Sequence, residues 1–322
     1  MDNILEVKNL NVKIKNLDKD ISILEDVSFS LKRGKITALV GESGSGKTIT
    51  ALSITKLLKD NFKVEGKILY EGKCISSLKE EEICKIRGKD ISLIFQDPMT
   101  ALNPIMTVGE QIEEVFTLHF NDMNKKDKKK KVLEVLKLVK IPNVEEVANL
   151  YPFQLSGGLR QRVMIALGIC CNPKIIIADE PTTALDVTIQ MEILDLLKEL
   201  TLKLDATVLI ITHDLGVVAE ICDEVIVMYL GRIIENSDIV EFFNNNFHPY
   251  SKGLIKSNPY NIKNNRFFTI KGTVPRIDFK PLGCKFNTRC DFAMEKCKGE
   301  EPELIKIKEN HFVRCWLSLK ES

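Results

Sequence analysis

Gly41-Glu42-Ser43-Gly44-Ser45-Gly46-Lys47-Thr48 decides how this chain is read. The octapeptide fits the pattern G-x-x-x-x-G-K-[ST]. An apolar run, Ile36-Thr37-Ala38-Leu39-Val40, precedes it and reads as a buried strand, and residues 48–58 follow it and read as a helix. Strand, glycine-rich turn and helix N-terminus together make an anion cradle. The glycines admit a backbone path that a Cβ would block. Their N–H groups converge on phosphate oxygens, and the helix dipole adds partial positive charge. In such a cradle Lys47 reaches the β- and γ-phosphates and the Thr48 hydroxyl ligates Mg²⁺. A chance match in an ordinary turn would lack these flanks and the partners found downstream.

Outward from the cradle, residues 5–14 and 27–31 read as strands, with Lys32-Arg33-Gly34-Lys35 as the turn entering the cradle strand. Residues 67–70, followed by Glu71-Gly72, read as a hairpin strand, and residues 91–95 as a short buried strand ending at Gln96. Strand character then disappears over residues 107–171, where Val132, Leu133, Val135, Leu136 and Val139 recur at helical spacing. Nearly continuous apolar runs return at 175–178, 207–212 and 225–228, as parallel strands covered on both faces should. Residues 187–202 supply a crossover helix between the first two. The lysine-rich run 125–131 is read as the solvated first turn of an amphipathic helix, and Asn244-Asn245-Asn246 as a helix end or loop.

Composition bounds the rest. The chain is 44% apolar and 28% charged, with a net charge of +1. That suffices for a core and gives no global bias toward nucleic acid or anionic membrane. No stretch approaches the roughly 20 apolar residues of a spanning helix, and the N-terminal residues lack a signal-peptide profile. The chain is therefore expected in the cytosol, with its nine cysteines as thiols or metal ligands rather than disulfides.

Two further motifs carry chemistry. Ile175-Ile176-Ile177-Ala178-Asp179-Glu180 is an apolar strand that delivers two carboxylates at its C-terminal end, where open α/β sheets place ligands. Asp179 is expected to hold Mg²⁺, and Glu180 to polarise the water that attacks the γ-phosphate. Leu155-Ser156-Gly157-Gly158-Leu159-Arg160-Gln161-Arg162 opens a helix. Ser156 reads as its N-cap, and the glycines bare its first N–H groups. One chain does not need two γ-phosphate cradles, so the second is read as serving a nucleotide held by another chain.

In order along the chain, residues 41–48, Gln96, residues 155–161, Asp179-Glu180, Ala184-Leu185-Asp186 and His213 resemble the ATP-binding-cassette (ABC) ATPases. The resemblance implies a head-to-tail pair of cassettes. ATP then lies between the P-loop (Gly41, Glu42, Ser43, Gly44, Ser45, Gly46, Lys47, Thr48) of one and Ser156, Gly157, Gly158 and Gln161 of the other. It also implies that Gln96 touches Mg²⁺ and couples the nucleotide to a membrane partner. His213, which alone reads as a structural strand-end histidine, becomes a γ-phosphate switch, and Asp186 crosses the dimer interface.

Residues 96–104, 178–188 and 248–254 further resemble the oligopeptide/dipeptide/nickel importers, and the chain looks like their D-type ATPase subunit. The implied fold class is α/β: a P-loop nucleotide-binding core with an antiparallel β subdomain and a helical insert, plus a small Cys-rich C-terminal module. The cassette is expected over residues 1–250, its helical subdomain over about 107–171, and the extension over 251–322. The implied function is ATP hydrolysis powering uptake of oligopeptides or dipeptides, with nickel or metallophore import as the alternative. The implied partners are an F-type cassette, two permease subunits and an extracytoplasmic binding protein, at the cytoplasmic face of the membrane. A non-transport ABC ATPase acting on DNA or ribosomes would carry coiled-coil insertions or a second cassette, and a regulatory cassette would lack Glu180 or His213. One departure stands out: Ile14 occupies the position where the family commonly stacks an aromatic on adenine, which predicts loose base selectivity.

Cys284, Cys290, Cys297 and Cys315 are spaced C-x5-C-x6-C-x17-C. Zinc sites usually offer a tighter pair, whereas wide gaps suit the corners of a cluster. On spacing, a cluster, a zinc ion and four free thiols all stay open. Residues 283–290 and 313–315 resemble the C-terminal element of oligopeptide-importer ATPases, which implies a [4Fe–4S] cluster, with zinc as the alternative. The tail has few periodic apolar residues, so a metal staple is expected to fold it. Cys74, Cys84, Cys170, Cys171 and Cys222 are read as structural.

Overall fold

The computed structural model describes residues 3–15, 19–120, 122–183, 185–257 and 268–318. Ala184, part of the expected interface stretch, lies outside the described residues. The chain divides into two compact units, residues 1–77 with 211–322, and residues 78–210.

The first unit opens with β1 (Asn3–Ile14) and β2 (Ile21–Lys32), followed by β3 (Ile36–Val40), α1 (Lys47–Ile54), β4 (Phe62–Tyr70) and β5 (Lys73–Cys74). Strands β2-β1-β4-β5 form an antiparallel sheet. Register sets Val7 opposite Phe29 on one side and Ile68 on the other. Leu5, Val7, Leu10 and Val12 are buried, while Lys8 and Lys13 are exposed. Alternation in one strand thus gives the sheet one dry face. Strand β3 is different, with all five residues buried, as its unbroken apolar run requires.

The second unit holds α2 (Glu80–Ile83), β6 (Ile91–Ile94), α3 (Pro98–Ala101), α4 (Val108–His119), α5 (Lys125–Leu138), α6 (Val144–Val147), α7 (Gly157–Ile169), β7 (Ile175–Asp179) and α8 (Val187–Leu204). The unit boundary falls within β8 (Thr207–Thr212). Strands β6 and β7 pair in parallel. Thr107 caps α4 in a reciprocal box with Glu110, and Asn124 caps α5. The lysines of α5 form its exposed N-terminal half, while Val132, Val135 and Leu136 are buried. The helical spacing read in residues 132–139 is the buried stripe of that helix.

The chain returns to the first unit through α9 (Leu215–Ile221), β9 (Glu224–Tyr229), β10 (Arg232–Asp238), α10 (Ile239–Asn245), α11 (Pro249–Lys256), α12 (Glu295–Gly299), β11 (Ile305–Lys308) and β12 (His311–Val313). Here the strand order is β11-β12-β10-β9-β3, with β3 and β9 parallel and the other pairs antiparallel. The β9–β10 hairpin turns at Leu230 (φ 44°) and Gly231 (φ 80°), two left-handed residues that match strand twist. A Cβ on Gly231 would sit 1.9 Å from the Ile23 carbonyl oxygen. The Gly231 N–H donates to the Ser45 carbonyl, and its own carbonyl accepts from the Glu25 N–H, both at 2.9 Å. The hairpin tip therefore braces the cradle loop against β2.

Candidate active site

In the first unit, the cradle leaves β3 and closes on α1. Gly41 (φ 154°) could not be another residue, because a Cβ there would lie 2.2 Å from the Met228 carbonyl oxygen. Lys47 is buried and its ammonium donates to the carbonyls of Gly41 (2.8 Å) and Glu42 (3.1 Å). The cation is held across the loop it belongs to, by two carbonyls at the loop's start. Ser43, Gly44 and Thr48 are exposed, and Ser45 is buried. Gly46 is the left-handed N-cap of α1, so this helix begins with no side chain covering its first N–H groups. Ile14 ends β1 opposite Ile21 and Phe62. His213 follows β8 and is exposed.

The second unit gathers three site residues. Strand β7 carries buried Asp179 to its end, and the chain then turns sharply at Glu180, whose φ is 46°. That left-handed conformation is costly for a side chain with a Cβ and is typical of functional positions. One carboxylate oxygen of Glu180 accepts from Gln96 Nε2 at 2.8 Å and from the Thr183 hydroxyl at 2.9 Å. Two donors fix the direction of the carboxylate. Thr183 is the partner that sequence reading missed. It occupies the next turn, whose N–H bonds back to the Glu180 carbonyl at 3.1 Å.

Ser156 caps α7 through Leu159 N at 3.3 Å, and Ser156 and Gly157 are exposed. Gln161 is buried on the same helix. The helix is capped by Ser156, but its N-terminus faces solvent at Ser156 and Gly157, the feature that suits it to an anion. Asp186 is exposed and caps α8 through Ile189 N at 3.0 Å. These distances lie within that unit.

The cysteine expectation is corrected. Among the described residues, no group of three or more His, Cys, Asp or Glu side chains is placed to hold a metal ion. Cys284, Cys290, Cys297 and Cys315 are therefore not assigned to a [4Fe–4S] cluster or to zinc. Burial pushes the Cys284 thiol up to about 12 and the Cys290 thiol up to about 11. The tail is held by other means. Strand β12 pairs with β10. Arg314 donates to the Ile233 carbonyl (2.9 Å), the Pro302 carbonyl (3.2 Å) and Asp26 (3.1 Å). Lys280 is paired with Glu25 at 2.8 Å. Phe286 is buried edge-on against Tyr229 and Tyr250, with ring centroids 5.2 and 5.3 Å away. The tail draws on the core of the first unit and does not have to build one.

Comparison with known proteins gives these sites a family. Residues 24–183 match the ABC transporter family, and residues 234–297 match the oligopeptide/dipeptide transporter C-terminal region. The oligopeptide transport ATP-binding protein AppD of Bacillus subtilis is 46% identical over 324 residues, covering 100% of this chain and 98% of that protein. The oligopeptide transport ATP-binding protein OppD of Escherichia coli is 45% identical, covering 94% of this chain and 89% of that one. The dimeric ATP-binding cassette MJ0796, solved with ADP and Pi, superposes with a TM-score of 0.66 at 32% identity, covering 73% of this chain and 98% of that one. A relative 46% identical over the whole chain shows the family, and the chain belongs to the ABC transporter ATPases, among the oligopeptide transport ATP-binding proteins.

Proposed function

We propose that this chain is the ATP-hydrolysing subunit of an importer of oligopeptides or dipeptides. The observation that carries the chemistry is Glu180, aimed by Gln96 and Thr183 from a left-handed turn at the end of β7. The full-length similarity to oligopeptide transport ATP-binding proteins, with the matched C-terminal region at 234–297, supports the substrate class.

The roles follow from chemistry. The N–H groups of residues 41–48 and the Lys47 ammonium bind the phosphates of ATP. The Thr48 hydroxyl, the Asp179 carboxylate and the Gln96 amide oxygen are all oxygen donors, the set that Mg²⁺ takes. Gln96 turns its nitrogen toward Glu180, so its oxygen is the end assigned to the metal. Mg²⁺, when bound, neutralises charge on the β- and γ-phosphate oxygens. Glu180 accepts the proton of the attacking water, and His213 contacts the γ-phosphate. Ser156, Gly157, Gly158 and Gln161 serve the nucleotide of a facing cassette, beside Asp186.

That cassette is proposed to be a related F-type chain, on two permease subunits fed by an extracytoplasmic binding protein. Among the described residues no helix is long and apolar enough to cross a membrane, and this chain is assigned to the cytoplasmic face. Phe95, Met99 and Ile105, exposed by 43%, 57% and 82% after β6, supply apolar surface for a permease beside Gln96. We assign residues 1–250 to the cassette, with a helical part at about 107–171, and 251–322 to the extension.

Glu180→Gln tests the chemistry. Loss of a positioned base costs about 10²–10⁴-fold, so single-turnover hydrolysis in the assembled transporter should fall by that factor while MgATP binding persists. Near-normal hydrolysis would remove Glu180 from this role.

A further inference from the structure

One contact links the C-terminal segment to the phosphate loop. Glu42, the second residue of the cradle, places a carboxylate in a loop built to bind a polyanion. Arg289, whose side chain is 4% exposed, meets that carboxylate with both arms of its fork: Nη1 to Oε2 at 2.6 Å and Nη2 to Oε1 at 3.0 Å. Its third donor, Nε, reaches the Lys271 carbonyl at 2.9 Å. The guanidinium also lies 5.8 and 5.9 Å from the ring centres of Tyr229 and Phe286. A planar fork fixed at three points and faced by aromatic rings cannot swing away at small cost. The backbone of Glu42 is held as well, since its N–H donates to the Tyr250 hydroxyl at 2.9 Å. Tyr250 is fully buried and packs on Tyr229 with centroids 4.8 Å apart.

We propose that Arg289 and Tyr250 are positioning residues for nucleotide: they neutralise and orient Glu42, so that the loop receives phosphate without opposition from its own carboxylate. The physical basis is charge. Without Arg289, MgATP would meet an uncompensated anion in the first turn of its cradle, in a site only partly open to water, where such repulsion is weakly screened. Tyr250 acts on shape, by accepting the Glu42 N–H and so fixing that peptide of the loop. Both residues lie outside residues 24–183, the part of the chain that matches the cassette family. The C-terminal segment would thus be part of the nucleotide site and not an appendage to it.

This inference rests on residues 41–48 binding phosphate, and the test separates the two. MgATP dissociation constants would be measured on the full chain for wild type, Lys47→Ala, Arg289→Gln, and Arg289→Gln combined with Glu42→Gln, each at low and high salt. Arg289→Gln should weaken MgATP by about tenfold, less at high salt and less for MgADP. Adding Glu42→Gln should restore most of that loss, since the charge to be balanced is gone; a purely structural role for Arg289 would not be rescued this way. Wild-type affinity in Arg289→Gln, or no recovery in the double variant, would overturn the proposal. Normal MgATP binding by Lys47→Ala would instead overturn the cradle reading beneath it. If Arg289→Gln does not fold, Tyr250→Phe carries the test. It removes one oxygen and should raise the MgATP dissociation constant roughly threefold, the scale of one hydrogen bond. An unchanged constant there would overturn it.

Discussion

At the scale of single residues, the molecule keeps several polar groups dry. Glu235, His248 and His311 are exposed by 0%, 1% and 0%. Glu235 accepts from the backbone N–H groups of Phe247 (2.8 Å) and His248 (3.1 Å), and its Oε1 lies 2.9 Å from His311 Nε2. His248 Nδ1 accepts the N–H of Tyr250 at 3.0 Å and so caps α11. That acceptor role needs a neutral ring. Burial lowers the His248 pKa from 6.5 to about 4, against the opposing pull of Glu235. The sign follows from proton counting. The unfolded chain protonates this histidine more readily, so its contribution to stability is complete above about pH 6.5 and is lost as pH falls toward 4. The loss amounts to a few kcal/mol by the lower limit. Thermal melts at pH 7.5 and pH 5 should show it, and His248→Asn, which keeps an N-cap acceptor, should flatten the difference. An equally steep decline in that variant would place the sensitive group elsewhere. Little of this was legible in the sequence. His248 was read only within a family-like stretch, and Glu235 and His311 drew no reading, because burial of a polar residue depends on partners distant in the chain.

Single elements were far more legible, where one period or one cap decided them. The cradle strand, the carboxylate strand and α8 stand close to their sequence-based bounds, since apolar runs and N-caps are local signals. The Ser156 cap of α7 was visible for the same reason. Strands β10, β11 and β12 escaped. They are short, and β12 becomes a strand only because β10 offers it an edge, with Glu235 opposite Val313. The expected metal staple failed at this scale too: spacing of cysteines along the chain says little about spacing in space, and Phe286, Arg289 and Arg314 supply the anchoring. The β9–β10 hairpin yields a prediction. Gly231→Ala would force a left-handed φ on a residue with a Cβ and drive that Cβ to 1.9 Å from the Ile23 carbonyl oxygen. Relief requires moving β2 or the turn. Stability should drop by about 1–3 kcal/mol, read as a lower denaturant midpoint. MgATP affinity should fall with it, because Gly231 also holds Ser45 of the cradle. A silent substitution would mean that the hairpin tip does not brace the loop.

For the whole molecule, the solvent-facing N-terminus of α7, at exposed Ser156 and Gly157, bears on the proposal that the site is shared with a facing cassette. The purified chain alone should hydrolyse ATP weakly, and turnover should rise on adding the facing cassette and permease. Full activity from a strictly monomeric preparation would contradict the shared arrangement. The family was readable from the order of motifs, because those motifs are backbone devices of a few residues each. What the motifs could not reveal was how far down the chain the nucleotide loop reaches for support.

That reach has a consequence for how the protein is made. Arg289 lies 247 positions beyond Glu42. At roughly 5–20 residues per second of synthesis, a nascent chain carries its phosphate loop for on the order of 10–50 s before the guanidinium that balances it has been translated. Contacts so distant in sequence form late. If Arg289 acts as proposed, a C-terminally clipped product would display every motif of the cassette and still bind nucleotide weakly, for want of a contact made only after the rest of the site has been synthesised.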